Sequence, residues 1–318
     1  MFLRIVEALT EGCASSAWVY AVIAELQWVI ALLPEQGQED IWGSDSEAVG
    51  AASLVPRAVA TRCDGGWRIS GRYPFASGCA HAQWAVVGAN CEDAAGNHQA
   101  HYLAMPMAGI EIIDDWHALG MRGTGSRSLL LRDVFVPRHR SILYRDVLTG
   151  SAPGCLVHRD YTLLRAPRYF IVPFVLPAVA FALARKALSL LPPSLHARGM
   201  ASSDLLHMQL GEAAAHIETA NLIFATRRSE TITCVDAGEP IDEASVLRNR
   251  RDVTLAFRLL KKGIDRLVAI NGARTLYDGD PLQSLLLDIT AIATHIVVND
   301  QAAMVPYGRW MMQHAALA

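Results

Sequence analysis

The hydrophobic period of this chain changes twice, and the order of the changes restricts the fold more than any other feature. The first 40 residues read at helical spacing. From about 50 to 140 the chain breaks into short apolar runs punctuated by Gly, Pro, Asn or Asp. "AVATRCDGGWRISGRYPF" gives a strand, an Asp64-Gly65-Gly66 turn and a second strand. "QWAVVGANC", "HYLAMPM", "GIEII" and "SLLLRDVFVP" extend the series to roughly six or seven strands. From about 165 the helical period returns. Leu206, Leu210, Ala213, Ile217, Ala220 and Phe224 share one face, as do Val246, Val253, Phe257, Leu260, Ile264 and Leu267 on a helix ending at Gly272. A third helix starts after Pro281 and carries Leu285, Ile289, Ile292 and Ile296. Runs of one type rather than alternation predict an α+β chain, not a Rossmann sheet. The expected parts are a helical region at 1–45, a β domain at 46–140 and a four-helix bundle at 141–318.

Composition narrows the function. With 318 residues, 52% of them hydrophobic and 19% charged, the chain can bury more than one core. A net charge of −3 gives no basic face for nucleic acid. The six cysteines form no CxxC pair, and no metal spacing links His81 and His117. Scattered thiols of this kind suit buried positions in a reducing, cytoplasmic setting. "AWVYAVIAELQWVIALL" and "YFIVPFVLPAVAFALA" are interrupted by Glu25 and Gln27, or by prolines, so core helices rather than membrane spans are expected. Met1-Phe2-Leu3 already lies on a helical pattern without a cap, which suggests residues missing upstream. No GxGxxG follows a strand, and "RGTGSRS" lacks the Gly-Lys-Ser/Thr of a phosphate loop.

In "WHALGMRGTGSRSLLLRDVFVP", Trp116 to Pro137, small and hydroxyl residues surround two arginines just before a strand. Glycines let such a loop bend, and the hydroxyls can satisfy backbone groups. This stretch, the order helices–strands–helices, and the segments at 11–42, 65–89, 209–220 and 271–300 resemble the acyl-CoA dehydrogenase fold, with a barrel-like β domain. Within it the chain is most similar to the oxygenase components of two-component flavin-dependent monooxygenases. The resemblance implies reduced FAD or FMN supplied by a separate, transient NAD(P)H-dependent reductase. It further implies O2 activation through a C4a-hydroperoxyflavin, a small phenolic substrate and a homotetramer.

The same resemblance distributes roles. Ser77 and the backbone of Ala76 would face flavin N5, where a hydroxyl in a dry pocket slows loss of the oxidising group. By residue type alone, Ser77 is a strand-ending serine before Gly78. Phe75 would lie against the isoalloxazine ring, and Ser53 and Leu54 would run along flavin and substrate; core packing and a plain loop are the alternatives. His295, on a polar stripe with Ser284, Asp288 and Asn299, would be the general base favouring phenolate, with Ile296 beside the cofactor. Gly272 and Ala273 would approach flavin. Arg198 and Gln209 would contact the cofactor phosphates, often from a neighbouring subunit. Gln27, Arg122 and Thr124 would border the substrate pocket.

The chain departs from the family in having Gln27-Trp28 where many phenol hydroxylases have a His before the Trp. It also lacks the arginines often found after the Pro of the last bundle helix. An N- or S-oxygenase of the same fold is therefore the nearest alternative, and a non-catalytic truncated remnant is another. An acyl-CoA dehydrogenase is less favoured: the last Glu is Glu243, and every acid after it, Asp280, Asp288 and Asp300 included, is an aspartate.

Overall fold

The computed structural model describes residues 1–200 and 202–315. Three helices come first: α1 (Phe2–Gly12), α2 (Ala14–Ala31) and α3 (Glu35–Trp42). In α2, Ala14, Ala17, Trp18 and Ala21 pack with the later helices, whereas Leu26, Trp28, Val29 and Ile30 pack on the sheet. A helix that changes partner halfway needs apolar residues all round instead of one stripe, which is why its sequence reads like a membrane span. This helix and Arg168–Ala197 are long and apolar enough to cross a bilayer. The fold buries most of the second inside its helical core.

Seven strands follow: β1 (Gly50–Cys63), β2 (Gly66–Ala76), β3 (Trp84–Glu92), β4 (His98–Pro106), β5 (Glu111–Ile113), β6 (Arg127–Pro137) and β7 (Ser141–Leu143). They form one sheet in the order β5-β6-β2-β1-β3-β4-β7, antiparallel except where β1 meets β3. The barrel-like expectation is corrected here. The three-residue strands β5 and β7 end the sheet and do not pair with each other, so the ladder stays open. Alternation divides its faces. Val86, Tyr102 and Ala104 pack under α2, whereas Ala85, Val87, Leu103 and Met105 join Ile69, Tyr73 and Leu129 in a core of the sheet's own. The β1–β3 register slips between Ser53 and Ala58, around Pro56, which cannot donate to a ladder. Gly88 permits that slip, because a Cβ there would overlap the Leu54 carbonyl oxygen.

Short helices α4 (Tyr144–Thr149), α5 (Gly154–Val157) and α6 (Arg168–Ile171) lead to five longer ones. These are α7 (Pro177–Ala197), α8 (Asp204–Ala237), α9 (Glu243–Asn271), α10 (Pro281–Ala293) and α11 (Asp300–His314). Their starts are written in the sequence. Ser203, Asp242, Asp280 and Asn299 each accept a backbone N–H as N-cap, and Pro281 sits in the first turn of α10. The expected stripes are buried: Leu206, Ala213, Ile217, Ala220 and Phe224 of α8 meet Val253, Phe257, Leu260, Ile264 and Leu267 of α9. Gly263 lets the two helices approach closely at Ala213 and Ile217. One helical expectation fails. The stripe from Ser284 to Asn299 does not lie on one helix, because α10 stops at Ala293 and His295 is extended (φ −73°, ψ 140°).

Candidate active site

The loop from Asp114 to Ser126 is wedged between α2, α10 and the sheet, and its glycines make the wedge fit. A Cβ on Gly120 would overlap the Leu287 carbonyl of α10, and one on Gly123 would press on Ser15 of α2. Met121 holds a left-handed backbone (φ 54°) that a side chain disfavours. It is fixed from both sides: its N–H donates to Asp288 Oδ1 at 2.6 Å, and its carbonyl accepts from Trp116 Nε1 at 3.1 Å and Thr124 Oγ1 at 2.8 Å. Burial raises the Asp288 carboxyl above its usual range, and the Met121 N–H opposes that rise. Gly120→Ala should push the loop off α10 and destabilise the protein by about 1–3 kcal/mol, the usual scale of overpacking. A denaturant midpoint equal to that of the native chain would show that the wedge is loose.

Four side chains converge at the seam that this loop closes. Trp18 Nε1 of α2 donates to Ser77 Oγ at 3.2 Å. Ser77 Oγ lies 2.7 Å from Ser126 Oγ, which lies 2.6 Å from Thr124 Oγ1, and all three hydroxyl residues are buried. The Trp18 ring also meets the His295 imidazole edge-on at 5.6 Å between centroids. The seam thus brings Ser77 and His295, 218 positions apart in sequence, into contact with one indole. His295 Nδ1 accepts from Val297 N at 3.3 Å, which places the ring proton of the neutral tautomer on Nε2. Burial, helped by the positive charge of Arg168, lowers the His295 pKa to about 4, so the ring is neutral at pH 7. Arg168 itself is paired with Glu25 of α2 at 2.6 Å, with side-chain exposures of 13% and 8%.

Beside the seam lies a cleft of about 430 Å³ lined by Phe75, Trp116, His117, Arg72, Ser126 and Ser128, among others. Phe75 is 62% exposed, adopts φ 65° and touches Trp116 edge-on at 6.3 Å. A large aromatic in the left-handed region with its ring left open is a strained arrangement, of the kind that clusters at functional sites. Asp115 anchors the cleft wall. The Ser128 hydroxyl and then Arg72 hold its carboxyl down at about 2.

The remaining expected residues divide into three groups. Near the seam, Ser53 Oγ donates to the Pro74 carbonyl at 2.7 Å, tying β1 to the strand end that carries Ala76 and Ser77; Ala76 is fully buried. Leu54 packs toward α2, and Ile296 is exposed beside His295. At the edges, Arg122 is exposed. Gln27 uses Nε2 to hold the Ala48 carbonyl at 2.9 Å, while its buried Oε1 has no partner among the described residues. The third group stands apart. Arg198 Nη1 donates to Asn271 Oδ1 at 2.9 Å, next to exposed Gly272 and Ala273, and Gln209 lies on the second turn of α8. This group sits where α10 begins and His295 where it has ended, about 20 Å along the helix axis. A single chain does not bring it to Ser77. Sequence reasoning missed Trp18 and the Glu25–Arg168 pair as members of the site, and took Ser126 for loop scaffold first and substrate contact second. Only the cluster of hydroxyls after Arg122 signalled any of them.

Residues 178–300 match the family described as acyl-CoA dehydrogenase, C-terminal domain. The chain is 29% identical to an FADH(2)-dependent resorcinol hydroxylase, oxygenase component, of Rhizobium sp. (strain MTP-10005), over 98% of this chain and 81% of that protein. It is also 29% identical to the flavin-dependent monooxygenase oxygenase subunit HsaA of Rhodococcus jostii (strain RHA1), over 97% of this chain and 82% of that protein. The crystal structure of 3-HSA hydroxylase from Rhodococcus sp. RHA1 superposes with a TM-score of 0.90 at 29% identity, covering 98% of this chain and 82% of that one. The chain therefore has the acyl-CoA dehydrogenase-like fold in the form taken by the oxygenase components of flavin-dependent monooxygenases.

Proposed function

We propose that this protein is the oxygenase component of a two-component flavin-dependent monooxygenase that hydroxylates a small phenolic substrate. The observation that carries this reading is the convergence of Ser77, Trp18 and a neutral His295 on one buried seam beside an open aromatic, Phe75. The residues fit reduced FAD or FMN. Phe75 offers a ring face for the isoalloxazine, and Ser77 a hydroxyl for N5. Reduced flavin, when bound, supplies the two electrons that divide O2 between the hydroxylated product and water.

The chain's own groups do the rest. The buried hydroxyl cluster and the Trp18 ring keep water from the seam. In its present tautomer His295 offers Nε2–H, which would hold a phenolate oxygen by donation. Acting as a base would require the imidazole to give up its contact with Val297 N. Asp288 accepts the Met121 N–H through Oδ1, which gives that carboxylate a structural role in fastening the loop to α10.

The finer assignments belong to the same proposal. Arg198, Gln209, Gly272 and Ala273 serve the cofactor of a neighbouring subunit in a homotetramer whose four-helix bundles are α7 to α10. Gln27, Arg122 and Thr124 border the substrate. A separate reductase supplies the flavin, in a cytoplasm that suits six unpaired thiols. The test is turnover with chemically reduced FMN or FAD under ¹⁸O2 and a panel of phenols. One labelled oxygen in a catechol-type product is expected. Label appearing only on an amine or sulfur substrate would shift the assignment to heteroatom oxygenation, and peroxide alone with every substrate would overturn it.

A further inference from the structure

A proton count along the seam fixes the direction of every hydrogen bond in it. The Met121 carbonyl can only accept, so Thr124 Oγ1 spends its single proton there. In the 2.6 Å contact with Ser126, Thr124 must then accept, and Ser126 spends its proton. In the 2.7 Å contact with Ser77, Ser126 must accept in turn, and Ser77 spends its proton. Trp18 Nε1, a donor only, fills one Ser77 lone pair. What Ser77 has left to offer is a second lone pair. The chain runs Trp18 → Ser77 → Ser126 → Thr124 → Met121 carbonyl, and its far end is fastened to α10 through the Met121 N–H and Asp288.

We propose that Thr124 and Ser126 are positioning residues that hold Ser77 Oγ as an acceptor and thereby make this site select reduced over oxidised flavin. The inference rests on the reading that Ser77 faces flavin N5. In reduced flavin N5 carries a proton and is a donor, which matches the free lone pair. In oxidised flavin N5 is itself an acceptor, so two lone pairs would oppose each other. Breaking the chain at Ser126 or Thr124 releases the Ser77 proton, which can then turn to oxidised N5. Ser126 and Thr124 thus act through Ser77 rather than by touching N5.

The test is equilibrium binding, not turnover. Anaerobic titration with dithionite-reduced FMN and FAD and aerobic titration with the oxidised forms give the ratio of dissociation constants, oxidised over reduced. The native chain should favour the reduced form by at least tenfold. Ser126→Ala and Thr124→Val should each shrink that ratio about tenfold, mainly by tighter binding of oxidised flavin. Thr124→Ser keeps the hydroxyl and should keep the ratio. Thermal melts identify a misfolded variant, and either chain-breaking variant alone decides the matter. If the native protein prefers reduced flavin and both variants retain that preference, the hydroxyl chain does not set it, while the proposed activity stands. If the native protein binds neither form, the proposed activity fails, and this inference with it.

Discussion

Arg168→Met should lower the stability of the folded chain by about 3–5 kcal/mol, the usual result of leaving one charge of a buried pair alone. Glu25 would remain in a site where its side chain is only 8% exposed, with its 2.6 Å partner gone. Such a loss is a large fraction of the whole stability of an ordinary fold. The double variant Glu25→Leu/Arg168→Met should recover most of it, since a buried pair replaced by apolar groups of similar size is often neutral or better. Urea unfolding of the two single variants and the double variant measures the coupling directly. Additive losses would mean that the pair is solvated and of little account. A chemical consequence follows as well. The Arg168 charge helps to hold His295 neutral, so its removal should raise the imidazole pKa from about 4 toward its ordinary value.

His295→Gln should cut the yield of hydroxylated product per flavin oxidised by about 100-fold, the lower end of what a positioned acid–base group contributes. Peroxide should account for the difference. The same variant should change the acid response of stability. The native imidazole, with its pKa depressed to about 4, resists protonation, whereas the unfolded chain takes up that proton near pH 6.5. The stability tied to His295 is therefore fully present above pH 6.5 and is lost as pH falls from 6.5 toward 4. His295→Gln should flatten stability against pH across that window, as read by thermal melts at fixed ionic strength. An unchanged slope together with unchanged coupling would place His295 outside the site.

Much of the fold was legible because local rules decided it. The start at Pro281, the stop at Gly272, the Asp64-Gly65 turn and the 3.6-residue stripes of α8 and α9 all act within a few residues. Closure of the sheet was not legible, because it depends on whether the three-residue edges β5 and β7 meet, and no local signal reports that. The helix expected to carry His295 was drawn too long, since its apolar period continues through Ile296 although the backbone turns at Thr294. The site was half legible. Ser77 and His295 could be named by resemblance. Trp18 looked like one more apolar residue in α2, and its role shows only in contacts 59 and 277 positions away along the chain. Arg198, Gln209, Gly272 and Ala273 share an end of the helical core with one another but not with Ser77.

The central claim is that a dry seam between sheet and helices protects a flavin–oxygen adduct long enough for oxygen to reach a guest molecule. Rapid mixing of the protein and reduced flavin with oxygenated buffer, without substrate, tests it most directly. A transient absorbance distinct from both reduced and oxidised flavin, lasting seconds or longer and shortened by Ser77→Ala, is the predicted result. Direct return to the oxidised spectrum at the rate of free flavin would contradict the account.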